Sequence, residues 1–238
     1  MRGSSNFLRF LLLASAVLVA SGCSTRLDRE GRPASRVEAR YLLKTEIDRV
    51  TDVNRDEVVA GLMRIADKLY KRNPREWRQA GLASREAALQ RLQQRQSWPA
   101  LAGQRERLAA AQAFSEEYRD DRVGALMFGL LTMVDAAFEH KDDFYILDSL
   151  NETKLFNAAR NMEIAIWKLG NDRNSAGELY LLSNELDPAN RNLSFEREFG
   201  RIVGLLDFMA QVVADRNGRT LSRFTQSVAT AIFLPVGF

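Results

Sequence analysis

The sequence predicts an all-α domain behind a short N-terminal export segment. Apolar residues recur at helical spacing along most of the chain, and no stretch sustains the period-two alternation of a half-buried strand. Only 5 prolines occur in 238 residues, and Pro74, Pro99 and Pro188 fall where one periodic run gives way to the next. Ser or Asn precedes several of those runs, as helix caps do. A hydrophobic content of 46% and a charged content of 27% are ordinary for a globular protein. A chain of this length can bury a core without disulfides.

The elements follow in order. Residues 24–35 are polar, with Gly31 and Pro33, and predict a flexible tether. Arg36 to about Val50 predicts a first helix. Asn54-Arg55-Asp56-Glu57 has capping-box spacing and predicts a second start, with Val58, Leu62, Ile65, Ala66 and Leu69 on one face. Asn73-Pro74 restarts a helix with proline at its first position, and Ser84 caps another carrying Ala88, Leu89 and Leu92. Trp98-Pro99 breaks the chain. Gly103 to about Glu139 predicts one helix, or two with a break near Asp120-Asp121. Residues 123–134 are apolar all round, as in a central core helix, and too few to span a membrane.

Further along, Ser149-Leu150-Asn151-Glu152 predicts a capping box for a helix stopped at Gly170. Ser175 to Leu186 predicts a helix ended by Asp187-Pro188. Ser194 is expected to cap the next, which Asn217-Gly218 ends. Leu221, Phe224, Val228, Ala231 and Ile232 form a last apolar stripe. The nearly all-apolar tail from Val228 to Phe238 predicts a C-terminal helix docked in the core or, alternatively, a segment that touches a partner or a membrane. The expected architecture is an antiparallel bundle of roughly eight or nine helices. Asn73-Pro74 and Asp187-Pro188-Ala189-Asn190 resemble the inter-helix turns of tetratricopeptide arrays, which implies helical-hairpin-repeat character. Their spacing is not a multiple of the 34-residue period, and the signature is incomplete.

The N-terminus carries the most specific pattern. Arg2 and Arg9 without any acid, an apolar run from Phe10 to Val19, and the small residues Ala20-Ser21-Gly22 precede Cys23, the only cysteine. This is the layout of a secretory signal, too short to cross a ~30 Å hydrocarbon layer. Ala20-Ser21-Gly22-Cys23 resembles the lipobox of bacterial lipoproteins. The resemblance covers residues 1–23 and implies cleavage between Gly22 and Cys23, with diacylglycerol on the Cys23 thiol and an acyl chain on its new amino group. Ser24, rather than Asp, after the cysteine implies the inner leaflet of the outer membrane, facing the periplasm. The domains expected are a signal peptide at 1–22, a lipidated tether at 23–35 and a helical domain at 36–238.

Charge excludes one partner class and suggests another. With Arg2 and Arg9 set aside, the 34 basic residues fall to 32 against 31 acidic ones, which argues against a nucleic-acid binder. The charges are segregated, however. Residues 68–107 are strongly basic and residues 108–207 acidic. Arg72, Arg75, Arg78, Arg85, Arg91 and Arg95 are therefore candidates for a face toward a partner or a lipid, unless they pack on the acidic half of the same protein. Arg160, Asn161 and Glu163 interrupt an apolar helical run. If buried, they need partners, and a network with Asp121 or Asp135 is the candidate.

No motif for catalysis stands out. His140 is the only histidine, no acid lies three residues before it, and so paired Glu-x-x-His metal elements are impossible. No calcium-loop spacing, Gly-rich phosphate loop or Gly-x-Ser-x-Gly elbow occurs. The sequence thus predicts no metal, no cofactor beyond the lipid on Cys23, and no enzyme. It predicts an anchored binding, scaffold or envelope-assembly factor with an envelope protein as partner. The alternatives are a helical carrier or sensor of a small apolar ligand and, less favoured, an envelope hydrolase using His140 or an acidic pair.

Overall fold

The computed structural model describes residues 26–27, 33–34, 44–145, 148–185, 191–218 and 232–237. The chain divides into two compact units, Met1–Leu43 and Lys44–Phe238. In the first, β1 (Arg26–Leu27) pairs antiparallel with β2 (Pro33–Ala34), within the stretch expected to be a tether. The signal segment, Gly22, Cys23 and most of the expected first helix lie outside the described residues.

The second unit is all-α, with seven α-helices among the described residues. The longest, α1 (Glu46–Arg72), starts at Thr45, not at Asn54. The Thr45 hydroxyl accepts the Asp48 backbone N–H at 3.2 Å, and the Asp48 carboxylate accepts the Thr45 N–H at 2.8 Å. This is a complete capping box. Asn54 lies inside α1 instead, where it is buried and donates to the Leu205 carbonyl at 2.9 Å. Proline at the first position opens α2 (Pro74–Gln79), and the Ser84 hydroxyl caps α3 (Arg85–Gln93), both as expected. The chain breaks at Trp98-Pro99 into a single 3-10 turn, Pro99–Leu101.

The Gly103–Glu139 stretch resolves into two helices, α4 (Glu106–Gln112) and α5 (Arg122–Ala137), with Asp121 as the cap of α5. Asn151, not Ser149, caps α6 (Glu152–Asn171), its side-chain oxygen accepting from the Thr153 and Lys154 N–H groups. The helix expected from Ser175 is absent over 175–185. Asn174 accepts the Ala176 and Glu178 N–H groups on its side chain, and Gly177 sits at φ +78°, so local side-chain bonds capture the backbone first. The last helix among the described residues, α7 (Ser194–Arg216), begins one residue before the expected start, since Ser194 is already helical. Asn192 and Asn184 serve its first N–H groups.

The core is organised around α5, in which every residue from Val123 to Val134 is buried. Helices α1, α2, α3, α4 and α6 all pack on it, while α7 closes against α6 and α1. The α4–α5 contact is a close one. A Cβ on Gly129 would stand 2.4 Å from the Ala110 nitrogen and 2.6 Å from the Glu106 carbonyl oxygen. Both neighbours are backbone and cannot yield. No helix among the described residues is long and apolar enough to cross a membrane.

Gly129→Ala is therefore expected to force α4 off α5 and cost about 2–4 kcal/mol in urea unfolding. Gly204 in α7 meets nothing within 4 Å. Gly204→Ala at that exposed helical site should gain about 0.5–1 kcal/mol. Equal midpoints for the two variants would refute the packing argument.

Candidate functional site

The residues expected to form one polar network fall instead into separate places. Asp121 is fully buried at the first turn of α5. Its carboxylate accepts the Gly124 N–H at 2.7 Å, the Tyr70 hydroxyl at 2.7 Å and the Arg91 guanidinium at 2.8 Å. Arg91 lies over the Trp98 ring at 4.0 Å, and Trp98 donates to the Tyr118 hydroxyl at 3.2 Å. Glu76, also buried, accepts the Arg122 N–H at 2.8 Å. Two carboxylates thus face the positive end of the core helix. Burial pushes both carboxyls above their usual range, and burial beside the Asp121 charge pushes the Tyr70 phenol well up.

Asp135 stands elsewhere, on the solvent side of α5. Arg95 reaches it with two N–H groups at 2.8 and 3.3 Å, and Arg55 approaches to 3.8 Å while pairing with Asp142. These four charges, with Val59, Gln93 and His140, line a cleft of about 400 Å³. Arg95, Glu139 and His140 beside it all hold positive φ, a conformation that costs non-glycine residues energy. The cleft brings the only histidine together with two acids, but both acids already carry arginines. Arg160 meets neither Asp121 nor Asp135. It pairs with Asp207 of α7 at 2.6 Å and with Glu163 at 3.2 Å, because α6 turns that flank toward α7.

The expected basic face is largely consumed within the protein. Arg91 and Arg95 hold Asp121 and Asp135, Arg72 meets Glu185 at 3.4 Å, and Arg85 meets Asp67 at 3.2 Å and Glu86 at 2.8 Å. Arg75 and Arg78 remain at the surface, with Arg78 lying over Trp77. Lys44, almost wholly buried, binds Asp52 and Asp143. Burial pushes its ammonium down, but the two carboxylates outweigh burial and leave it raised.

Asn161 has the most specific arrangement. It is fully buried, and its amide reads the backbone of the C-terminal segment in both directions. The Leu234 N–H donates to its oxygen at 2.6 Å, and its nitrogen donates to the Leu234 carbonyl at 2.9 Å. One helical turn earlier, Asn157 donates to the Pro235 carbonyl at 2.9 Å. The Glu106 carboxylate, at the start of α4, accepts the Gly237 N–H at 2.9 Å. Phe233 and Val236 insert their side chains into the core, while Ile232 is 75% exposed. The tail does dock, but residues 232–237 are not helical. The rest of the expected apolar stripe, 221–231, lies outside the described residues. Sequence reasoning missed Asn157 and Glu106, whose partners are backbone groups with no side-chain signature.

Among the described residues, no group of three or more His, Cys, Asp or Glu side chains is placed to hold a metal ion. Comparison with protein-family models, curated proteins and solved structures finds no match to this chain.

The raised carboxyls set a sign for pH dependence. A folded-state pKa above the unfolded value means that the folded chain keeps a proton the unfolded chain has lost. That contribution favours folding at low pH and fades as pH rises through the raised value. From about pH 4 upward, the wild type should lose stability relative to the Asp121→Asn/Glu76→Gln double variant, read as urea midpoints across the range. A difference that grows in the opposite direction would contradict the buried, proton-holding environment.

Proposed function

We propose that the chain is a bacterial lipoprotein anchored through Cys23 in the inner leaflet of the outer membrane. Its helical domain faces the periplasm and acts by binding, as a scaffold or envelope-assembly factor with a protein partner, not as an enzyme. The domain is read as an antiparallel bundle of the expected eight or nine helices. The anchoring half is supported by the small residues Ala20-Ser21-Gly22 before the only cysteine. Diacylglycerol plus an N-acyl chain buries enough CH2 groups, at ~0.8 kcal/mol each, for stable attachment.

The observation that carries the binding half is the clasp of Asn161, Asn157 and Glu106 on residues 232–237. It recognises backbone N–H and C=O groups together with two apolar side chains, which is how extended peptides are held. The hydrolase alternative draws on the cleft at His140, where Arg95 pairs with Asp135 and Arg55 with Asp142. The apolar-carrier alternative draws on a cavity lined by Ile47, Phe144, Leu150, Met209 and Val212 among others. At about 160 Å³ it is smaller than the ~300 Å³ at which small-molecule pockets begin.

Intact-mass analysis of the chain purified from envelopes should find a polypeptide starting at Cys23 and carrying acyl chains, and Cys23→Ser should move it out of the membrane fraction. A bare Cys23, or one still joined to Gly22, would overturn the anchoring.

A further inference from the structure

The groove that holds residues 232–237 is built as a binding site is built. Its central polar group, Asn161, has no exposure, and its oxygen and nitrogen bond the N–H and the C=O of one residue, Leu234. Glu106 holds φ at +48°, in the left-handed region, while its N–H donates to Thr132 at 2.8 Å and its carboxylate meets the tail. The strain is thus kept at the residue that receives the end of the segment. The occupant fits in detail. Pro235, which has no N–H to satisfy, sits exposed between two anchors, Phe233 and Val236, spaced three residues apart. Gly237 passes so close to Glu106 that a Cβ would lie 2.2 Å from its carboxylate.

Nothing in this set of contacts requires that the tail belong to the same copy of the chain. Every bond crosses from helices α4 and α6 to a segment separated from Gly218, just past α7, by residues 219–231. Covalent geometry lets those residues span up to ~45 Å. A second copy carries the same tail by definition, and exchange replaces each contact with an identical one at little net cost.

We propose that the groove formed by Asn161, Asn157 and Glu106 is a docking site for the C-terminal segment of a second copy, so that copies associate by exchanging tails. The inference deepens the binding reading above and rests on it. The tail in cis competes at an effective concentration on the order of 1 mM, so exchange is expected where copies are crowded, as on a shared membrane.

The test uses full chains with two different tags, co-expressed and co-purified. Asn161→Leu spoils the groove but leaves the tail intact, and Phe233→Ala spoils the tail but leaves the groove intact. A mixed pair can form one trans contact with no competitor in cis, whereas neither like pair can form any. Co-purification of the mixed pair at least ~10-fold above both like pairs is expected. Equal recovery from all three pairs overturns the proposal.

Gly237→Val guards against a core variant that fails to fold, since it disturbs only the tail's end. A labelled peptide of residues 231–238 should bind the Gly237→Val chain at least ~10-fold tighter than wild type. No such gain in a variant with wild-type helical circular dichroism overturns the proposal. Peptide binding without pairing of copies also overturns it and reassigns the groove to another protein's segment. The Cys23 fractionation experiment is independent of all these outcomes, so failure here is distinguishable from failure of the anchoring.

Discussion

The domain depends on burying α5 while satisfying its first turn. Residues 123–134 have no polar face to offer water, so the helix is stable only if it is surrounded. Surrounding it also removes water from the four N–H groups that begin it. Asp121 and Glu76 serve two of these groups by accepting from Gly124 and Arg122. The cost of burying Asp121 is met from three sides, by Tyr70 of α1, Arg91 of α3 and the helix dipole. The polar cluster is therefore the point where α1, α2, α3 and α5 are locked in register. Its hydrogen bonds and ion pair tie these four helices together.

The same economy explains the charge segregation. A basic stretch followed by an acidic one reads in sequence as two surfaces. In three dimensions α3 brings Arg91 and Arg95 onto α5, where Asp121 and Asp135 wait. Opposite charges far apart in sequence are what a helical domain needs to hold short helices on a long apolar one. Arg72 repeats the pattern with Glu185.

What the sequence made legible follows from which forces are local. Pro74, Ser84 and Asn217 act on their own backbone, and the helix boundaries they imply stand. The all-apolar run at 123–134 could be only a core helix. Asn54 shows the limit. Thr45-Glu46-Ile47-Asp48 and Asn54-Arg55-Asp56-Glu57 both have capping-box spacing, and nothing within ten residues chooses between them. The choice is made by the Leu205 carbonyl, which takes the Asn54 amide and lets α1 run on. Ser175 to Leu186 failed for the reverse reason: Asn174 bonds its own neighbours before a helix can nucleate. Asn161 was visible as a polar intrusion, but its partner is a backbone group 73 residues away, and backbone groups leave no mark on sequence.

That last point bears on how the groove could act. A site that reads side chains is tied to one sequence, whereas a site that reads an N–H and a C=O is tied to a conformation. Asn161 bonds only the N–H and C=O of Leu234, so any residue other than proline that keeps this backbone conformation can stand there. Selectivity then falls on the two buried anchors and on the glycine that clears Glu106. A bulky apolar residue, a second three positions later and a glycine immediately after it form a pattern short enough to occur in other proteins. The cis tail raises the threshold for all of them, because any competitor must exceed what the linkage supplies at no entropic cost. A tail of this kind keeps the groove ordered and selective while the partner is absent. Under the proposed exchange, it also gives the domain a way to remain monomeric when dilute and to associate when crowded.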